Sequence, residues 1–131
     1  MVKIKSGFYY FTHPYSAQTV EGRVANYELC CRRSAKLLLA GYNIFSPITH
    51  SHSIEMACLE MLKWSLEERY EFWLYTIDMA VLEYVGFTGV ILALGWGKSK
   101  GCKREYEWFI LHKQPNGKPH EILQYSKIIG D

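Results

Sequence analysis

Charge of one sign is scarce in this chain of 131 residues. Fifteen Lys and Arg stand against thirteen Asp and Glu, a formal net charge of +2. A duplex-sized phosphate surface calls for many clustered cations, so no long nucleic acid is expected as a partner. No apolar run reaches membrane-spanning length, and no membrane partner is expected either. The opening residues, MVKIKSGFYYF, lack a signal-type apolar region and a small-residue cleavage site, which leaves a cytoplasmic location as the expectation. The four cysteines (Cys30, Cys31, Cys58, Cys102) include no C-x-x-C pair, so zinc-ligand spacing is missing and reduced, mostly buried thiols are expected. There is no repeat, low-complexity tract or linker. The G-x-x-x-x-G-K-S/T order of a nucleoside-triphosphate loop is missing, and Ser65 has no G-x-S-x-G setting.

What remains is a globular composition, 49% hydrophobic and 21% charged, sized for a single domain over residues 1–131. Aromatics are plentiful at 15%, with ten Tyr and four Trp. They fill a core, or in part line a pocket or a subunit interface.

Strand and helix signals alternate. Gly7-Phe8-Tyr9-Tyr10-Phe11-Thr12 is a β-prone run stopped by Pro14. From Arg23 to Ala40, Val24, Tyr27, Cys31, Ala35 and Leu38 recur at spacings of three and four, which predicts one apolar helix face, closed by Gly41. Tyr42 to Ser46 predicts a short strand before Pro47. Residues 48–85 hold neither Gly nor Pro and predict two helices. Ser65-x-x-Glu68 is a capping-box signature for the second, with acidic Glu67 and Glu68 in its first turn. From Phe72 to Leu82 that helix is apolar on nearly every side, which predicts burial all round, within the domain or between subunits. Gly89 to Leu94 predicts a central strand covered on both faces. A Gly-rich loop (95–101), a helix from Cys102 to about His112, a turn at 115–119 and a strand at Glu121 to Tyr125 complete the chain. The order β-α-β-α-α-β-α-β implies an open, mostly parallel sheet of four to five strands with helices on both faces, of the Rossmann or flavodoxin kind. Ligands of such sheets bind beyond the C-terminal strand ends, which selects residues 12–16, 47–52 and 95–105.

Those segments hold chemistry-bearing residues. Gly95-Trp96-Gly97-Lys98-Ser99-Lys100-Gly101 links a strand to a helix whose free N–H groups suit an anion, with Lys98, Lys100, Lys103 and Arg104 nearby. It reads as a phosphate site or as a flexible surface loop with solvated Lys. Glu105 lies three residues after Cys102 and four before Phe109, on the apolar side of its helix; Asp78 is four from both Leu74 and Leu82. Carboxylates so placed do acid/base or nucleophilic work, or form a buried ion pair with Arg23 or Arg69. His13, His50 and His52 fall at strand ends. With no third ligand at motif spacing, hydrogen bonding or capping is favoured over metal binding.

In sequence order these residues resemble the nucleoside 2-deoxyribosyltransferase-like superfamily, which includes the 2'-deoxynucleoside 5'-phosphate N-hydrolases. The resemblance covers most of the chain. It runs through Tyr10-Phe11-Thr12-His13-Pro14, a helix ending in Gly41, a strand ending in Pro47, Asp78 on a helix, an apolar strand, and Ser-x-Gly-x-x-x-Glu at Ser99, Gly101 and Glu105. Trp96 and His50 look most like an uncharacterised bacterial or phage branch. The resemblance implies that Glu105 attacks C1' of a sugar and holds it as a glycosyl–enzyme, and that Asp78 moves the proton on the departing base. Tyr10 would position Glu105, and Ser99 with the backbone near Gly101 would hold a 5'-phosphate or 5'-hydroxyl. This is the two-step logic of retaining glycosidases. Lys98, Trp96, Thr12, His13, Arg23 and His50 are the further candidate binding residues.

The chain departs from the family pattern at Val85-Gly86-Phe87-Thr88-Gly89, where relatives place a second Asp. It departs again at Glu105-Tyr106-Glu107-Trp108-Phe109, where bulky residues replace Glu-x-Gly-x-Ala and reshape the base pocket. The leading expectation is an N-glycosidase or deoxyribosyltransferase-like enzyme acting on a nucleotide or nucleoside, with no cofactor and no metal. The rivals are a non-catalytic nucleotide or nucleotide-sugar binding protein of the same fold, and a scaffold subunit working through its aromatic surface. The apolar helix and the family's habit of pairing subunits imply a homodimer or higher homo-oligomer.

Overall fold

The computed structural model describes residues 2–61, 65, 68–69 and 72–130. Strands β1 (Tyr9–Thr12), β2 (Ile44–Phe45), β3 (Gly89–Leu92) and β4 (Glu121–Gln124) pair in parallel in the order β2-β1-β3-β4. Helices α1 (Val20–Leu39), α2 (Pro47–Met61), α3 (Met79–Tyr84), α4 (Lys100–Leu111) and the short α5 (Tyr125–Ile128) connect and follow them. This is the open parallel α/β sheet of the Rossmann or flavodoxin kind that the alternating signals predict, at the lower strand number.

The side-chain period of two builds both cores from one strand. Tyr9 and Phe11 of β1 join Ile91, Cys30, Leu37 and Ile48 on one face; Tyr10 joins Val90, Leu92, Leu82 and Phe109 on the other. Tyr10, Phe11, Val90 and Ile91 are fully enclosed, each burial stabilising by roughly 1.5–3 kcal/mol. At Gly89 the sheet is tightest: an added Cβ would lie 2.0 Å from the Glu121 carbonyl oxygen, so β3 and β4 approach as only glycine permits.

Two helices differ from their sequence reading. Helix α1 starts earlier than predicted, capped by the Thr19 hydroxyl accepting from Gly22 N–H. Its buried positions are Arg23, Cys30, Ser34 and Leu37, a stripe rotated by about one residue from the predicted apolar one. The stripe carries two polar residues, and hydropathy slid past them. Gly41 does end the helix, at φ +94. The capping box is present in both directions: Glu68 N–H donates to Ser65 Oγ and Ser65 N–H to Glu68 Oε1. Glu67 lies outside the described residues. Phe72–Asp78 then winds as a π-helix, not an α-helix, before α3 begins. Nor is Phe72 to Leu82 buried all round in the single chain: Tyr75 is 53% exposed. Among the described residues, no helix is long and apolar enough to cross a membrane.

Candidate functional site

The chain runs from β1 out to β2 on one side, then crosses to β3 on the other. The strand order therefore reverses beside β1, and the loops diverge there to leave a crevice. A cavity of about 870 Å³ occupies that place, within the range of small-molecule sites. Its walls come largely from the three segments that the switch-point rule selects, joined by Arg23, Glu55, Arg69, Trp73, Leu74 and Asp78.

Glu105 projects into it from the second turn of α4 and is 5% exposed. Alternate residues of β1 reach it. Thr12 Oγ1 donates to Glu105 Oε1 at 2.7 Å, and the Tyr10 hydroxyl donates to Oε2. Both donors are themselves fully buried, so the carboxylate is held at each oxygen by a rigid strand. Asp78 lines the same cavity.

The electrostatics separate the two acids. Burial raises the Glu105 carboxyl to about 7, against the lowering effect of the Tyr10 and Thr12 bonds. Burial and then the Glu105 charge raise Asp78 to about 9. The Tyr10 and Thr12 donors favour the negative charge on Glu105, and hence the proton of the pair on Asp78. One buried carboxylate beside one half-buried carboxylic acid is the division of labour that acid and nucleophile require. Tyr10 is driven well above its usual range by burial and the Glu105 charge, and stays a donor. Burial, then Glu105, pushes the Cys102 thiol up to about 12, so it is not a nucleophile despite its place at a helix N-terminus.

Ser99 is the N-cap of α4, its hydroxyl accepting from Cys102 N–H at 3.3 Å. Lys98, Ser99, Lys100 and Gly101 all line the cavity, so the positive end of the helix faces it. Lys103 and Arg104, on the exposed side of α4, do not line it. His13 lines the cavity as a neutral imidazole. Arg33 Nη1 can only donate, so His13 Nε2 accepts at 2.9 Å and Nδ1–H donates to Pro14 O at 2.8 Å. Burial lowers its pKa to about 4.

Three expected binding residues, Trp96, His50 and Thr12, stand outside the cavity walls. Trp96, in the turn Trp96–Lys98, packs on Tyr106 with centroids 4.8 Å apart. His50 is exposed and lies against Phe45. Helical spacing explains the second case: His52, two residues on, turns inward and is buried. Tyr10 and Thr12 act from behind Glu105 and do not line the cavity.

At the opposite end the sequence reading named Arg23, which lines the cavity, but missed Glu55 and Trp73. There the Tyr15 hydroxyl donates to Glu55 Oε2, which leaves its oxygen to accept from His52 Nδ1–H at 2.8 Å. Arg69 Nε lies 3.5 Å from Glu55 Oε1, and Arg23 Nη1 donates to Ala17 O at 2.9 Å. The arginines considered as partners for Asp78 or Glu105 are thus engaged elsewhere. Glu55 gave no signal beyond one acid on a mixed helix.

The π-helix supplies the cavity's third wall. Its i→i+5 bonding widens each turn, so Trp73, Leu74 and Asp78 all face the cavity. In an α-helix, Trp73 and Asp78 would point roughly 140° apart. Among the described residues, no three His, Cys, Asp or Glu side chains gather as a metal site.

Fold and cavity together define a doubly wound α/β domain with a split carboxylate pair at its switch point. Residues 7–117 match the family described as a domain of unknown function, DUF1937, and the chain belongs to it. No curated protein matches the chain.

Proposed function

We propose that the protein is a glycosyl-transferring enzyme, an N-glycosidase or deoxyribosyltransferase, acting on a nucleotide or nucleoside. The observation that carries this reading is Glu105, clamped by Tyr10 and Thr12 beside an Asp78 that keeps its proton. Glu105 carboxylate attacks C1', and the C1'–N bond breaks with its electron pair passing to the base. Asp78 gives its proton to the base nitrogen. Water, or a second base, then attacks C1' of the Glu105 ester, the C1'–O bond breaks to return the Glu105 carboxylate, and Asp78 takes up the proton that the nucleophile releases. The Ser99 cap and the first turn of α4 hold the 5'-phosphate, with Lys98 adding attraction. The resemblance to the nucleoside 2-deoxyribosyltransferase-like superfamily supports the same assignment.

The test is incubation with a panel of deoxynucleoside 5'-monophosphates and chromatography of free base. Release of base that Glu105→Ala abolishes is the expected result, as is a glycosyl adduct on the Glu105 peptide by mass spectrometry. Release unchanged in Glu105→Ala, or none across the panel, removes the mechanism. A ligand that raises the melting temperature and is recovered intact would establish a binding protein instead. Copies of the chain pair, on this reading, through the exposed Tyr75 and Tyr84. Light scattering should give twice the 15.3 kDa chain mass, and a 15.3 kDa species alone removes the pairing.

A further inference from the structure

At the end of the cavity opposite Ser99, among the described residues, the buried donors Arg23 Nε and Trp73 Nε1 have no hydrogen-bond acceptor, and Arg69 Nε has only its ion-pair contact with Glu55 Oε1 at 3.5 Å. All three residues line the cavity, and Arg23 and Arg69 are only 4% and 8% exposed. Guanidinium and indole groups offer donors and no acceptors. The carboxylate beside them, Glu55, already takes the Tyr15 hydroxyl and the Arg69 charge. Among the described residues, two cations against one anion leave this end positive and short of acceptors, a costly state for buried donors that a ligand's acceptors would relieve.

The sheet order fixes where that end lies. Ser99 follows β3 and α2 follows β2, with β1 between them. Glu55, with Arg69 beside it, therefore lies about two strand spacings, roughly 10 Å, from Ser99, and Arg23, on the α1 that follows β1, stands about one spacing away. A nucleotide with its phosphate on α4 and its C1' at Glu105 directs its base toward Arg23, Arg69 and Trp73. Asp78 and Trp73 share a face of the π-helix, so the acid lies nearest the glycosidic nitrogen and the indole lies one turn beyond.

Resting on the function proposed above, we infer that this end is a leaving-group pocket for oxo-bases, 2,4-dioxopyrimidines and 6-oxopurines, and that it selects against 4-aminopyrimidines and 6-aminopurines. Carbonyl oxygens satisfy the waiting donors, whereas an exocyclic amino group adds a donor to donors. The same groups assist the chemistry. As the C1'–N bond breaks, its electron pair spreads onto the base carbonyl oxygens until the Asp78 proton reaches nitrogen, and Arg23 and Arg69 stabilise that transient negative charge.

The experiment compares dUMP and dIMP with dCMP and dAMP. It measures kcat/KM for base release by the wild-type protein and Kd by calorimetry on Glu105→Gln, alone and combined with Arg23→Met. The oxo-nucleotides should bind about tenfold or more tightly, and Arg23→Met should bring that ratio toward one. The affinity ratio of dUMP to deoxyuridine should stay unchanged in Arg23→Met. Equal or better handling of dCMP and dAMP by the wild-type protein overturns the inference, while their cleavage would still support the proposed reaction. Loss of the dUMP-to-deoxyuridine ratio in Arg23→Met would place the phosphate at the Arg end and also overturn it. If none of the four is bound or cleaved, both the pocket assignment and the reaction fall.

Discussion

Tyr10→Phe removes one oxygen atom and tests the central feature of the site. The ring packs against Phe45, Phe87 and Phe109 at centroid distances of 6.1, 5.4 and 5.8 Å, and Phe keeps all three neighbours. What is lost is one of the two donors to Glu105. A hydrogen bond to a charged group contributes about 1.5–3 kcal/mol, and one pKa unit corresponds to about 1.4 kcal/mol, so the Glu105 pKa should rise by roughly one to two units. From about 7, this carries it beyond neutrality. Carbon-13 NMR titration of labelled glutamate, with the Glu105 signal assigned through Glu105→Gln, reads the shift without any substrate.

Stability follows the same sign. A carboxyl raised by the fold holds its proton in the native state where the unfolded chain has released it. Its stabilising effect is complete below about 4.5 and is lost as pH rises toward about 7. In Tyr10→Phe the loss continues to higher pH, so the melting temperature should fall further below wild type at pH 9 than at pH 5. If the reaction proposed above is catalysed, the acid limb of kcat/KM moves upward with it. A Glu105 midpoint that stays put or falls would refute the claim that Tyr10 holds the ionised form.

Three other predictions rest on separate features. Asp78→Asn removes a group raised from 3.8 to about 9, whose burial costs stability increasingly between those values; the variant should melt above wild type at pH 8, match it at pH 3.5, and release base at least about a hundredfold more slowly. Ser99→Ala deletes the α4 cap and should cost about 1 kcal/mol, roughly 3–5 °C of melting temperature, together with any preference for dUMP over deoxyuridine. Gly89→Ala forces a methyl group to within 2.0 Å of the Glu121 carbonyl and should separate β3 from β4; urea denaturation should show a loss of about 3 kcal/mol or more, and one below about 1 kcal/mol would mean that the strands can part.

The fold was legible because each element carries a local signal. The apolar run at 89–94 can only be a covered strand, Gly41 and Pro47 punctuate the first βαβ turn, and Ser65 with Glu68 announces a helix start. The alternation of elements then leaves few topologies. What was not legible depends on winding and register. The α1 face was misplaced because Arg23 and Ser34 occupy buried positions that hydropathy assigns to water. His50 was chosen over His52, a difference of two residues on a helix whose entry angle the sequence does not reveal. The π-helix is hidden entirely, since an apolar stretch fits any helical period, yet that winding turns Trp73 and Asp78 to one side.

The energetics of the acid pair argue against a purely structural role. No cation among the described residues pairs with Asp78 or Glu105; Arg69 lies with Glu55, and Arg23 with a loop carbonyl. Both carboxyls are raised chiefly by burial, and a buried ion pair would have lowered them. A packed apolar side chain at either position would spare the fold a cost that grows with pH. The chain instead spends two fully buried hydroxyls of its central strand, Tyr10 and Thr12, on keeping one of these acids ionisable. It also winds a π-helix that turns the other toward the same cavity. Those arrangements suit a site that uses its acids, such as the chemistry at C1' proposed above, and stability alone does not call for them.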